Sequence, residues 1–424
     1  MAITGASRTG PWRTTLALIV GTLASCTTGP VATMRPGPPA PSAGEVEVRI
    51  GLVIGAGSAR VGGTGPLAIN EPDGSRIATI PSGESWQVAV SGNGITLVSP
   101  NGWVSPRLDA VTLAPIDRNA GVRVNGRTYR GLAEVLRDRT GLTVVNRVGM
   151  EAYLLGVVSA EMGRRSSTEQ AALQAQAVVS RTYALRNLRR WRGQGFDLYA
   201  TVADQVYGGV GSETPEGRAA VAATRGRVIT YHGAAIEALY YSTCGGRTAD
   251  GFEVFRGAAR PYLRSLPDEA PNGAVYCSIS PRYRWHEEWT GETLRATLQR
   301  NLRATSVSGG QVPHVTDVRV TRRTSSGRVD QLTIGLGGSE VRVDGTAIRR
   351  VLRPATGEML KSNAFDLIVT GGGSGVTRLA AEGMGAGHGV GLCQWGAVGR
   401  ARAGQSYHQI LAAYYPGTRL ERRY

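Results

Sequence analysis

Two apolar textures divide this chain. From Glu45 to Ile54 charged and apolar residues alternate, then merge into a short apolar run. A period of two puts one face of a strand into a core. Similar short stretches recur to about residue 145, between Gly, Pro and Asn turns. Asn93-Gly94 and Asn125-Gly126 carry the signal of tight hairpins. Near residue 150 the period changes. Residues 149–160 (GMEAYLLGVVSA) are mostly apolar and predict a buried helix. A longer helix is predicted over 171–185, where Ala, Leu and Val return at helical intervals. Ser166 and Glu169 precede it at capping-box spacing. Strands are predicted at 201–209, 226–233 and 235–246, then a helix at 291–302 capped by Thr290. Further strands follow at 314–321, 328–336 and 364–370, and the chain closes with a Gly-rich loop, a helix and Tyr414-Tyr415-Pro416-Gly417. The predicted class is α+β: β-rich, with a buried Ala-rich helix, a few further helices and an N-terminal β subdomain.

The first 44 residues predict a destination. Arg8 and Arg13 form a positive segment, and residues 14–25 an apolar one too short to span a bilayer. It ends in Leu23-Ala24-Ser25-Cys26, which reads as a lipobox: cleavage would leave Cys26 as an acylated anchor. The alternative is an ordinary signal peptide with an incidental cysteine. Residues 27–44 are rich in Pro, Gly, Ser and Thr and predict an extended tether. The expected organisation is a signal peptide at 1–26, a linker at 27–44, a β-rich region at 45–119 and the main domain at 120–424. The expected location is extracytoplasmic, on a membrane.

Composition narrows the function classes. The formal net charge is +16, and Lys361 is the only lysine. Such a surface attracts polyanions, including nucleic acid, anionic lipid and anionic wall polymers. A GC-rich genome gives the same arginine bias. No long basic run, zinc-finger spacing or aromatic RNA-binding motif is present, and export argues against nucleic acid as a partner. After Cys26 three cysteines remain, Cys244, Cys277 and Cys393, which allow at most one internal bridge.

Four constellations carry candidate chemistry. In Tyr153–Met162 a single carboxylate, Glu161, sits in an apolar stretch. Desolvation would raise its pKa toward that of an acid catalyst. The plainer reading is a helix-end glutamate that accepts backbone N–H groups. Asp204, Gln205 and Tyr207, before Gly208-Gly209, could line a sugar groove, or Asp204 could satisfy a turn. Tyr240 and Tyr241 offer flat faces for sugars. Beside them Ser242 lacks a nucleophile elbow, and Cys244 shows no base; a Cys244–Cys277 disulfide is the plainer expectation. The Gly-rich stretch 385–397 carries His388, Gln394 and Trp395 as polar or stacking contacts, with a structural role for His388 equally open. Cys244, Cys277, Cys393 and His388 form no C-x-x-C or H-x-x-x-H pattern, so no metal or other cofactor is expected.

Taken in order, these blocks resemble the SpoIID/LytB family of stage II sporulation protein D and amidase enhancer proteins. The matching segments are YLLGVVSAEM, AALQAQAVVSRTYAL, QVYGG, STCGGRT, GHGVGLCQWGA and the closing YYPGTRL, spanning roughly 120–424. The resemblance implies a wall-associated protein. Sporulation members are lytic transglycosylases that cleave glycan strands lacking stem peptides, with the Glu of the Glu-Met block as the acid; the matching residue is Glu161. The Arg of Arg-Thr-Tyr matches Arg181, a second catalytic candidate. Gln205, Tyr207, Tyr240, Tyr241, His388, Gln394 and Trp395 become substrate-binding candidates. Other members help a separate amidase without cleaving anything, so an amidase is the second expected partner beside glycan strands and the membrane. Two departures stand out. Gly163 replaces a frequent Pro, which is expected to loosen the turn that aims Glu161, and Cys393 replaces a frequent Ser. Some sporulation members bind zinc through a His/Cys cluster soon after the catalytic helix. This chain has no Cys between Glu161 and Cys244, so that site is not carried over.

Overall fold

The computed structural model describes residues 44–424 except 305–311, 313 and 373–374. The signal segment, its Cys26 and residues 27–43 of the linker lie outside the described residues. The fold is α+β.

The first eleven strands come before any helix, as the period of two predicts. They are β1 (Glu47–Ala56), β2 (Ser58–Gly63), β3 (Leu67–Asn70), β4 (Arg76–Ile80), β5 (Ser85–Ser91) and β6 (Gly94–Val98), then β7 (Ala110–Pro115), β8 (Val122–Val124), β9 (Arg127–Tyr129), β10 (Leu132–Asp138) and β11 (Gly141–Gly149). One sheet has the order β6-β5-β2-β8-β9. Pairing of β2 with β8 and of β7 with β10 carries the sheets across residues 119 and 120 without a break. The Asn125-Gly126 hairpin forms as read: both residues have positive φ, 47° and 82°, which a two-residue turn of this hand requires. Val61, Val88, Leu97, Leu113, Val135 and Val144 all face one core.

That core continues into helices α1 (Met150–Met162) and α2 (Gln170–Arg186). Helix α1 is apolar on every side and is buried accordingly. Alanines 172, 175, 177 and 184 of α2 are buried against the same core, and their small side chains permit close approach. The predicted capping box is present: Ser166 N–H donates to the Glu169 carboxylate at 3.1 Å, just ahead of α2. Gly163 ends α1 with φ of +70° and donates its N–H to the Ser159 carbonyl at 2.9 Å. Proline, fixed near −65°, cannot adopt that conformation. A left-handed glycine closes this turn instead of loosening it.

Segment 201–209, expected as a strand, is a loop; only β12 (Leu198–Tyr199) precedes it, at the edge of the sheet β12-β1-β11-β10-β7-β3-β4. Its backbone groups are spent elsewhere. Gly208 N–H donates to the Gly156 carbonyl of α1 at 3.1 Å, and Tyr207 N–H to the Ala200 carbonyl at 3.2 Å. Next come α3 (Pro215–Ala223), β13 (Arg227–Tyr231), β14 (Ala234–Ala235), β15 (Tyr240–Tyr241) and α4 (Gly251–Phe255). The single strand expected at 235–246 is thus two short ones.

A second hydrophobic core follows. It is built from β16 (Arg284–Thr290), α5 (Gly291–Ala304), β17 (Val315–Arg323), β18 (Val329–Leu336), β19 (Ser339–Asp344), α6 (Ile348–Val351), β20 (Phe365–Gly372) and β21 (Gly375–Met384). Thr290 caps α5 as predicted, accepting from Thr293 N–H at 3.2 Å. The chain then returns to the first core through β22 (Leu392–Cys393), α7 (Gln394–Arg402), α8 (Tyr407–Tyr414) and β23 (Arg419–Arg422). Strands β15 and β22 pair in parallel, with Tyr240 opposite Leu392 and Tyr241 opposite Cys393. This pairing joins two motifs that the second core separates in sequence. Among the described residues, no helix is long and apolar enough to cross a membrane.

Candidate active site

Glu161 lies in the last turn of α1, partly accessible. Its Oε1 accepts Val206 N–H at 2.7 Å and the Tyr240 hydroxyl at 2.9 Å. The Gln394 amide approaches Oε2 at 3.5 Å, the outer limit of a hydrogen bond. All three partners are neutral. Burial pushes the Glu161 carboxyl above its ordinary value, against the opposing pull of those donors. Its place at the negative end of α1 acts in the same direction as burial. Because Oε1 already takes two good donors, a proton on this carboxyl belongs on Oε2, the oxygen with the weaker contact.

Each donor reaches Glu161 for a reason visible in the fold. Val206 N–H is free because 201–209 forms no ladder. Tyr240 arrives on β15 and Gln394 on the first turn of α7, which the β15–β22 pairing brings together. Behind them a chain of side chains sets the tyrosine: Tyr153 hydroxyl donates to Gln205 Oε1 at 3.2 Å, and Gln205 Nε2 donates to the Tyr240 oxygen at 3.2 Å. Tyr240 thus has one proton and one place to send it, Glu161. Gln205 is fully buried and acts from behind the site.

Other candidates lie in the frame of the site. Tyr207 is buried, donates to Asn146 Oδ1 at 2.9 Å and packs on Tyr129 and Tyr153. A Cβ on Gly156 would lie 2.5 Å from its ring, so the glycine of YLLGVV exists to admit this tyrosine. Tyr241 is 5 % exposed and packs on His388, and its hydroxyl has no hydrogen-bond partner among the described residues. His388 has both nitrogens committed to backbone: Val390 N–H donates to Nδ1 at 3.1 Å, so the proton sits on Nε2 and is given to the Tyr240 carbonyl at 2.9 Å. Burial pushes its pKa down to about 4 against that hydrogen bond, with Arg349 and Arg328 assisting. It is a neutral brace for Tyr240, the structural reading left open by the sequence.

The structure does not bring Arg181 to Glu161. Its side chain is fully buried and forms a two-pronged ion pair with Glu151, at 2.8 and 2.7 Å, at the opposite end of α1. A third bond goes to the Arg227 carbonyl at 3.0 Å. The motif arginine therefore fastens α2 to α1 and β13. Asp204 is likewise consumed, by Tyr183, Arg190, Trp191 and the Tyr199 backbone. Trp395 is half-buried and carries the guanidinium of Arg165 at 4.4 Å from its ring centre. Arg165, four residues after Glu161, was missed by the motif reading; the sequence offered only its nearness to the acid.

The Cys244–Cys277 disulfide is not formed. Their sulfurs stand 3.3 Å apart and all three cysteines, buried, are free. Cys393 and Asp268 share the space: the ligand atoms of the four residues lie within 4.8 Å of one another. The thiols of Cys244 and Cys393, then the backbone at Gly245 and Gly246, hold the Cys277 thiol low, whereas burial pushes those of Cys244 and Cys393 up.

Residues 138–231 match the stage II sporulation protein family, SpoIID, and residues 276–391, most of which build the second core, match a domain of unknown function (DUF8618). An uncharacterized protein of Brachyspira hyodysenteriae is 31% identical over 301 residues, covering 70% of this chain and 73% of that one. Stage II sporulation protein D of Bacillus subtilis is 28% identical over 302 residues, covering 66% and 77%. The amidase enhancer of Bacillus subtilis is 28% identical over 291 residues, which is 63% of this chain but 40% of that larger protein.

Proposed function

We propose that this chain, which belongs to the SpoIID/LytB family, is a lytic transglycosylase that cleaves peptidoglycan glycan strands between MurNAc and GlcNAc. Its function is related to the cell wall. The observation that carries the finer reading is Glu161: a half-buried carboxyl, lifted by burial, with only neutral hydrogen-bond partners. Protonated on Oε2, it donates to the glycosidic oxygen as the bond to C1 breaks. The positive charge growing at C1 is taken up by the sugar's own 6-hydroxyl oxygen. The new C1–O6 bond gives a 1,6-anhydro end, and the hydroxyl proton returns to Glu161. No water enters and no second carboxylate is required. A hydrolase of the ordinary kind uses two, about 5–9.5 Å apart.

In this reading Gln394, Trp395 and Arg165 meet the glycan. The Arg165–Trp395 stack offers a flat face and a cation to a sugar that bears a lactyl carboxylate. Tyr240 and Gln205 position the acid, and His388, Tyr241 and Tyr207 hold the positioners. Export, an acylated Cys26 and a tether at 27–44 place the enzyme outside the cytoplasm, on a membrane and within reach of the wall.

A second reading is favoured by the similarity to the amidase enhancer: a module that binds glycan and assists an amidase without cleaving. Incubation with denuded glycan strands, followed by mass spectrometry, separates the two. The wild-type chain is expected to produce 1,6-anhydro ends. Intact glycan binding with no product would establish the second reading instead.

A further inference from the structure

We propose that Cys244, Cys277, Cys393 and Asp268 form a closed tetrahedral zinc site. The four come from separate segments: the loop after β15, the extended stretch at Asp268, the short helix Tyr276–Ile279 and the residue capping α7. This is the one such group among the described residues. All four are at most 2 % exposed. Cys244 Sγ stands 3.3 Å from Cys277 Sγ and 3.2 Å from Asp268 Oδ2. A zinc ion with bonds of about 2.3 Å to sulfur and about 2.0–2.2 Å to oxygen holds its ligands about 3.5–3.8 Å apart. The two shortest contacts therefore open by a few tenths of an ångström, and the wider pairs, none beyond 4.8 Å, draw in to close on the ion.

The surroundings are those of a metal site as well. Asp268 Oδ1 accepts Arg400 Nε at 3.0 Å and the Tyr414 hydroxyl at 2.9 Å, which turns Oδ2 toward the sulfurs. Backbone N–H groups point at sulfur: Cys244 and Gly396 at Cys393 Sγ, at 3.1 and 3.2 Å, and Gly246 at Cys244 Sγ at 3.4 Å. Outer groups of this kind orient ligands and stabilise thiolates. A Cβ on Gly396 would lie 2.2 Å from Asp268 Oδ2, so glycine there is what lets the carboxylate arrive. Three thiolates and a carboxylate around a divalent ion leave a net charge of about −2, which Arg400 and the N-terminus of α7 offset in part. Thiolate-rich tetrahedral sites select zinc among common divalent ions. A disulfide would use two sulfurs and leave the convergence of Cys393 Sγ and Asp268 Oδ2 on the same point without a role.

The site lies apart from the position soon after α1 where some family members keep a His/Cys cluster. It holds no open coordination position, so its role is to brace. Cys244 follows Tyr240-Tyr241, and Cys393 immediately precedes Gln394. The metal would tie together the two strands that deliver Tyr240 and Gln394 to Glu161. The proposal does not depend on what Glu161 does.

The test is metal analysis of the full chain purified without chelator. About one zinc per chain is expected, released by a mercurial together with the thiols of Cys244, Cys277 and Cys393. Cobalt exchanged into the site is expected to show the visible bands of a tetrahedral thiolate complex. Cys393→Ser is expected to reduce zinc at least tenfold; the wild-type measurements decide if that variant fails to fold. A wild-type chain that takes up no zinc even when it is supplied would overturn the proposal. So would recovery of a Cys244–Cys277 disulfide peptide with Cys393 as a free thiol.

Discussion

The two ends of helix α1 carry the same residue and treat it in opposite ways. Glu151, in the first turn, receives the Arg181 guanidinium on both oxygens, with Tyr424 hydroxyl and Gly226 N–H added at 2.7 and 3.2 Å. Glu161, in the last turn, receives a backbone N–H, a phenol and a distant amide. Ten residues of helix separate them, about 15 Å along the axis. The helix dipole favours a carboxylate at the first position and opposes one at the second. What distinguishes the two carboxyls is one guanidinium. At Glu151 it makes a buried ion pair; at Glu161 there is none, and burial pushes the carboxyl above its ordinary value, as the proposed acid requires.

The comparison can be broken by exchanging the two phenotypes. Glu161→Gln is expected to lower glycan cleavage by about 10²–10⁴-fold. The melting temperature should not fall, because the amide still accepts from Val206 and Tyr240. Arg181→Ala is expected to cost about 3–5 kcal/mol of stability by urea unfolding, since Glu151 is left buried without its cation. The fraction that remains folded should cleave at nearly the wild-type rate. A stable but inactive Arg181→Ala, beside an unfolded Glu161→Gln, would reverse the assignment. Smaller changes sharpen the picture. Gly156→Ala drives a methyl into Tyr207 and is expected to cost about 1–3 kcal/mol. Tyr240→Phe removes a donor to the charged form of Glu161, so the carboxyl pKa rises further. Activity that requires the protonated acid should then persist to higher pH, the basic limb moving up by about half to one unit.

Much of this was readable before the fold. The alternation before residue 145, the apolar run of α1 and the capping box ahead of α2 are local signals, and local structure follows them. Glu161 stood out because one carboxylate in an apolar run is itself a local anomaly. The failures are long-range. Segment 201–209 has strand-like residues, yet it gives its N–H groups to α1 and Glu161, which no window around it reveals. Arg181 carries a functional-looking motif but meets a carboxylate thirty residues away. Cys244, Cys277 and Cys393 lack metal-ligand spacing because β15–β22 pairing and the short helix at Tyr276 bring them together only in space. His388 reads in sequence as a substrate contact or a structural residue, and only the fold shows both nitrogens turned to backbone.

The central claim is that Glu161 holds its proton where an ordinary glutamate has lost it. The direct measurement is a pH titration of its carboxyl carbon by NMR, assigned by loss of the signal in Glu161→Gln. The account predicts a midpoint above the usual glutamate value of about 4.3, coinciding with the basic limb of glycan cleavage. A midpoint at or below that value, with cleavage unaffected as pH crosses it, would contradict the account.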